Sequence, residues 1–144
     1  MKKVYSLPCN IAQTLNLIGD RWTLLILHRL MTGHCTYKQL KDCLGGIPSN
    51  LLSGRLKSLE ADGLITSELY QDHPPRYRYI LSKSGSELND VFNSLVLWGE
   101  KHLTTCYKRL THKGCKSGLE HRYYCKHCGK IITSSEITVC DTQE

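Results

Sequence analysis

The feature that most constrains the fold is the order of turn and cap signals between residues 36 and 81. Thr36 is a suitable N-cap for a short helix over 36–44 that carries Tyr37, Leu40 and Leu44. Gly45-Gly46 forms a turn, and a second helix over 49–61 follows, with Ser49 as its expected N-cap. Leu52, Leu56 and Leu59 fall on one side of that helix at helical spacing, and Ser53, Gly54, Arg55, Lys57 and Ser58 fall on the other. Asp62-Gly63 stops it. A strand over 64–70, a turn through Gln71-Asp72-His73-Pro74-Pro75 and a return strand over 76–81 come directly afterwards. The two prolines belong in the turn because they cannot donate ladder hydrogen bonds. Along the return strand Tyr77, Tyr79 and Leu81 alternate with Arg76, Arg78 and Ile80. A short helix, a glycine turn, a second helix and a hairpin, in that order, make a winged helix-turn-helix.

The flanking segments fit that core. A helix over 11–18 places Ile11, Leu15 and Ile18 on one face, and a helix over 21–31 is apolar on more than one face, which puts it in the middle of the fold. After the hairpin a long helix over 84–110 carries a stripe of Leu88, Val91, Leu95, Trp98 and Leu103. Such a stripe at the edge of a small domain needs a partner surface, and a second copy is the natural one. The expected fold class is therefore mainly α with a small β-hairpin wing (α+β), dimerising through terminal helices. Residues 1–110 form this part, and residues 111–144 form a separate module rich in Cys, His, Gly and Lys. No internal repeat and no low-complexity tract is apparent.

The exposed side of the 49–61 helix has the chemistry a DNA major groove requires: small polar groups and cations in place of bulky apolar ones. Ser49, Asn50, Ser53, Gly54, Arg55 and Lys57 meet that need. Asn pairs with adenine edges and Arg with guanine edges. Lys38, Lys41 and Lys57 suit phosphates, which fix register without reading sequence. Arg76 and Arg78, with His73 at the wing tip, suit the backbone or the minor groove. A net charge of +6 agrees with a polyanionic partner but carries little weight alone. The chain contains no long apolar run that could cross a membrane. The basic start, Met1-Lys2-Lys3, is not followed by the apolar segment of an export signal, so a cytoplasmic location is expected.

Several motifs together resemble the HxlR family. Cys9 followed by Leu15-Asn16-Leu17-Ile18-Gly19-Asp20-Arg21-Trp22 is similar to the family's opening. Residues 46–65 look like its recognition helix, 73–85 like its wing, and Trp98-Gly99 like the end of its following helix. The resemblance covers residues 7–103. Asp20-Arg21 departs from the Gly-Lys the family favours, and Pro8 precedes Cys9 where the family has a proline after it. The resemblance implies a homodimer that regulates transcription from a palindromic operator, with half-sites about one helical turn apart. It also implies that Cys9 responds to an electrophile or oxidant, helped by the positive end of the helix it begins. Against this stands the inert, buried thiol that free cysteines usually are.

Eight cysteines in 144 residues are many for a chain with no export signal, and five of them fall at or after residue 106. Clustered thiols in a reducing compartment suggest metal ligands before disulfides. His112-x2-Cys115 followed by Cys125-x2-Cys128-Gly129 has zinc-ribbon spacing, so these four residues are the expected ligands of a structural zinc. His121, His127, Cys106 and Cys140 are possible substitutes for members of the first pair. Cys35 and Cys43 flank the short helix and read as core or surface thiols, with resolution of a sulfenic acid on Cys9 by one of them as the alternative.

Other function classes have less support. No phosphate-binding glycine loop, GxSxG or HExxH is present, so an enzyme is not expected, and His28 fits a core or interface position better than a catalytic base. A protein-interaction winged helix would favour an acidic exposed face, which 49–59 lacks. A MarR-like regulator answering to a small ligand is the nearest alternative among DNA binders, and a small-molecule pocket at the dimer interface would fall near Trp22, Trp98 and the long helix. Such proteins carry longer dimer helices at both ends.

Overall fold

The computed structural model describes residues 4–140 and Thr142; the basic Met1-Lys2-Lys3 start lies outside them. The chain divides into two compact units, the first ending at Asp90 and the second beginning at Val91.

The first unit begins with α1 (Asn10–Ile18) and α2 (Thr23–Met31). Ile26 and Leu27 of α2 are fully buried, as expected of a central helix. On α1 the buried residues are Ala12 and Ile18, whereas Ile11 (72% exposed) and Leu15 (41%) face outward. Two of the three residues expected to anchor this helix are therefore left for another surface. Asp20 accepts hydrogen bonds from the Trp22 N–H (3.0 Å), the Thr23 N–H (3.1 Å) and the Thr23 hydroxyl. That cap occupies the residues before Thr23 and explains why α2 starts two residues later than its apolar pattern suggests.

Thr36 caps α3 (Tyr37–Cys43) as predicted. Its hydroxyl accepts from the Gln39 N–H at 3.2 Å, and the Gln39 side chain accepts from the Thr36 N–H at 3.0 Å, a reciprocal capping box. Gly46 turns the chain with φ +91°, a backbone conformation that costs a side-chain-bearing residue energy. In α4 (Ser49–Ala61) the N-cap position is Pro48, not Ser49, which is already helical. Pro48 has no N–H of its own to satisfy, and its carbonyl accepts from the Leu52 N–H at 3.0 Å. Leu52, Leu56 and Leu59 are buried with Leu40, Leu44, Ile47 and Ile65. Each fully buried side chain contributes about 1.5–3 kcal/mol.

β1 (Ile65–Gln71) and β2 (Arg76–Leu81) form the antiparallel hairpin, with Ile65 opposite Leu81 and Glu68 opposite Arg78. The hairpin is fixed at both sides. The Tyr79 N–H donates to the Cys35 carbonyl at 2.7 Å, and Glu60 at the end of α4 accepts from the Ser67 N–H (3.1 Å) and hydroxyl (2.6 Å). The wing is thus tied to the residue before the α3 cap and to the last turn of α4.

The expected single helix over 84–110 is two helices, α5 (Lys83–Glu87) and α6 (Asn89–His102). The break falls at Leu88, between the two helices. A Cβ at Gly85 would lie 2.1 Å from the carbonyl oxygen of Leu64, so α5 is pressed against the residue that leads into β1. The helix ends before Leu103-Thr104-Thr105-Cys106, whose β-branched threonines favour helix weakly. In the second unit β3 (Tyr123–Cys125) pairs antiparallel with β4 (Lys130–Ile132), and a 3-10 turn, Ser134–Glu136, follows. No helix among the described residues is long and apolar enough to cross a membrane.

Candidate nucleic-acid interface

The groove-facing set lies on α4, with α3 before it and the hairpin after it. Ser49, Asn50, Ser53, Gly54 and Lys57 are all exposed, while the opposite side of the same helix is buried leucine. The helix start is held by the Tyr37 hydroxyl, which donates to the Ser49 carbonyl at 3.0 Å. This tyrosine contact joins the two helices of the motif, and sequence reasoning treated Tyr37 only as an apolar position.

Cations lie on the elements that flank α4. Lys38 is exposed at the start of α3, and Arg76 is exposed where the wing turn ends. Arg78 is exposed on β2, lies opposite Glu68 in the register, and has its guanidinium 5.7 Å from the centre of the Tyr70 ring. Lys41 is half-buried, and its ammonium donates to the Ile47 carbonyl, so it holds the turn between the helices closed.

Arg55 is also engaged. Its Nε is 3.1 Å from Asp20 Oδ1, with 25% of its side chain and 16% of that of Asp20 exposed. The contact is one of charge: the buried Nε–H has no aligned acceptor. Burial raises the pKa of Asp20. The Thr23 hydroxyl, the Trp22 N–H, the Arg55 charge and the Thr23 N–H outweigh that effect and leave it below the ordinary carboxylate value. In the sequence Asp20 stands out as the end of the first helical segment and as a departure from a family pattern, not as a partner of Arg55. Its pairing with a residue thirty-five positions away carries no local signal.

Cys9 is exposed at the N-cap position of α1. The segment that carries it is fastened to that helix. The Tyr5 N–H donates to Asn16 Oδ1 at 2.8 Å, and the Gln13 side chain donates to the Leu7 carbonyl at 2.7 Å. Cys35 and Cys43 are half-buried, and every cysteine is a free thiol.

In the second unit the four expected zinc ligands form two pairs. His112 Nδ1 is 3.3 Å from Cys115 Sγ, and the Cys128 N–H donates to Cys125 Sγ at 3.4 Å. The Ser117 N–H and hydroxyl, with His112, pull the Cys115 thiol down to about 7; the Cys128 and His127 N–H groups, with the Cys128 thiol, lower that of Cys125. Among the described residues no three His, Cys, Asp or Glu side chains come together as one metal requires. The same unit holds a half-open cleft of about 630 Å³ lined by Leu97, Trp98, His102, Leu119, Tyr123 and Ile132, among others.

A polar helix face presented beside a basic wing defines a winged-helix DNA-binding protein. The profile of the HxlR-like helix-turn-helix family matches residues 17–107, and the chain belongs to that family. Rv3095, an HTH-type transcriptional regulator of Mycobacterium tuberculosis, is 35% identical over 132 residues, covering 90% of this chain and 83% of its own. Among solved structures, the transcription factor PA1607 superposes with a TM-score of 0.77 at 20% identity over 95% of this chain and 97% of its own, a likeness of fold. The redox regulator HypR in its oxidised form superposes with a TM-score of 0.61 at 27% identity over 67% of this chain and 100% of its own. The protein is a DNA-binding helix-turn-helix transcriptional regulator.

Proposed function

We propose that the protein acts as a homodimer that reads a palindromic operator with α4 and answers to an electrophile or oxidant through Cys9. The observation that carries this reading is the exposed face of α4, where Ser49, Asn50, Ser53, Gly54 and Lys57 present polar groups and one cation with no bulky apolar side chain among them. Asn50 is the residue placed to read a base edge, and the small Ser53 and Gly54 let the helix approach the bases closely. Lys38, Lys57, Arg76 and Arg78 hold phosphates. Lys41 and Arg55, engaged within the protein, set the position of the helix.

Dimerisation is supported by apolar side chains that each unit leaves outward. On α6 these are Val91 (42% exposed), Leu95 (51%) and Trp98 (60%), and on α1 they are Ile11 and Leu15. A sensing role for Cys9 is supported by its exposure and by similarity to HypR, which is a redox regulator.

Fluorescence anisotropy of the reduced protein on DNA from upstream of its own gene, repeated after a quinone or diamide, tests the whole reading. Tight, sequence-preferring binding that treatment weakens in the wild type but not in Cys9→Ser is the expected result. Binding indifferent to sequence would sink the operator assignment. Binding indifferent to treatment would remove Cys9 as a sensor. Light scattering gives the assembly state, and Trp98→Glu is expected to shift a dimer to monomers.

A further inference from the structure

The two pairs in the second unit belong to two copies of one turn. The Cys115 N–H donates to His112 Nδ1 at 3.4 Å, and the Cys128 N–H donates to Cys125 Sγ at 3.4 Å. The Lys116 N–H donates to the His112 carbonyl at 2.9 Å, and the Gly129 N–H donates to the Cys125 carbonyl at 2.9 Å. The next similarity is in the backbone: Lys116 and Gly129 both take the left-handed conformation, with φ +61° and +66°. Antiparallel pairing closes each turn, Thr111 with Gly118 and Tyr124 with Ile131. Every one of these positions recurs thirteen residues on. The sequence shows no such repeat because His112 and Lys116 stand where the second copy has Cys125 and Gly129.

A second observation concerns what holds this module. From 103 to 140 no residue is buried, and only Leu110, Cys125 and Ile132 are half-buried. Leu119, Tyr123, Tyr124 and Ile131 are each between 47% and 66% exposed. No disulfide substitutes for the missing core. Segments below about 40 residues without a core usually need a disulfide, a metal or a partner to stay folded.

We propose that the repeated turns are the two halves of a structural zinc site, with His112 Nδ1, Cys115, Cys125 and Cys128 as the four ligands. One imidazole and three thiolates are a donor set that Zn²⁺ takes in tetrahedral geometry. Bond lengths of about 2.1 Å to nitrogen and 2.3 Å to sulfur place two tetrahedral donors about 3.6 Å apart. The His112–Cys115 pair, at 3.3 Å, is already within a few tenths of that separation. The backbone builds each half separately; among the described residues the two pairs do not share one metal-sized shell, and binding the ion would draw them into it. The three thiols release their protons to solvent on binding, and His112 binds as neutral imidazole. The metal thereby cross-links two hairpins that burial does not hold together.

The test uses the full chain, purified in reducing buffer without chelator. Elemental analysis is expected to find about one zinc per chain, and Co²⁺ exchanged into the protein should give the thiolate charge-transfer and d–d bands of a tetrahedral site. Cys115→Ser and Cys128→Ser should each lose most of the zinc. Cys106→Ser and Cys140→Ser should keep it, as should His112→Cys, which retains a ligand. Reduced protein with less than a tenth of an equivalent of zinc and no Co²⁺ spectrum would overturn the proposal. So would full zinc retention in a Cys115→Ser/Cys128→Ser double variant, or mass spectrometry showing these cysteines joined in disulfides.

Discussion

Asp20 and Arg55 join the start of α2 to the middle of α4 across a 3.1 Å contact, so the carboxylate that caps one helix also holds the helix proposed to enter the groove. If Arg55 acts by positioning, Arg55→Ala weakens binding to all operator variants alike, whereas loss of a base contact relaxes preference at one base pair. Anisotropy on a panel of single-base operator variants separates the two. Asp20→Ala is expected to cost about 1 kcal/mol of stability from the lost cap alone, measured by urea denaturation.

The same carboxylate gives the stability a sign in acid. Asp20 titrates below its ordinary value of 3.8 in the folded protein. Its contribution is therefore fully present above the unfolded pKa and disappears as the pH falls through the lower folded value. Between neutral pH and about pH 5 the contribution should be constant, and below about pH 4 it should decline. The difference in urea midpoint between wild type and Asp20→Asn is the readout. It should shrink on acidification, and a difference that grew would contradict the ion pair.

Asn50 and Lys57 lie on the same exposed face but should fail differently. Asn50→Ala is expected to cost about 1–3 kcal/mol on the preferred operator and little on unrelated DNA. Lys57→Ala should weaken both, and should reduce the slope of log affinity against log salt by about one. Titrations at several salt concentrations distinguish a base contact from a phosphate contact.

Gly85 is constrained by space, since its φ lies outside the left-handed region. A methyl group there would overlap the Leu64 carbonyl, which also accepts from the Ser82 N–H at 3.0 Å. Because the obstacle is backbone, Gly85→Ala should cost about 2–3 kcal/mol, seen as a lowered thermal midpoint. Gly54→Ala meets open space on the exposed side of α4, and should instead stabilise the helix by about 1 kcal/mol.

The winged helix-turn-helix is written in short-range sequence signals. Thr36, Gly46 and the Leu52, Leu56 and Leu59 series act through neighbours one to four residues away, so their spacing alone specifies the two helices and the turn between them. Alternation along 76–81 did the same for the wing. How those elements use their charged and apolar side chains depends on contacts between distant segments. Arg55 and Lys41 read in the sequence as DNA-facing cations because charge is all that their local pattern shows. Only the folded chain brings Asp20 and the Ile47 carbonyl to them. Ile11 and Leu15 fit a buried helix face by period, but hydrophobic burial has no direction until a partner surface exists, and the first unit supplies one only for Ala12 and Ile18. The paired turns of the tail were hidden for a different reason. Their form depends on backbone conformation and hydrogen bonding, which different residue types achieve equally well.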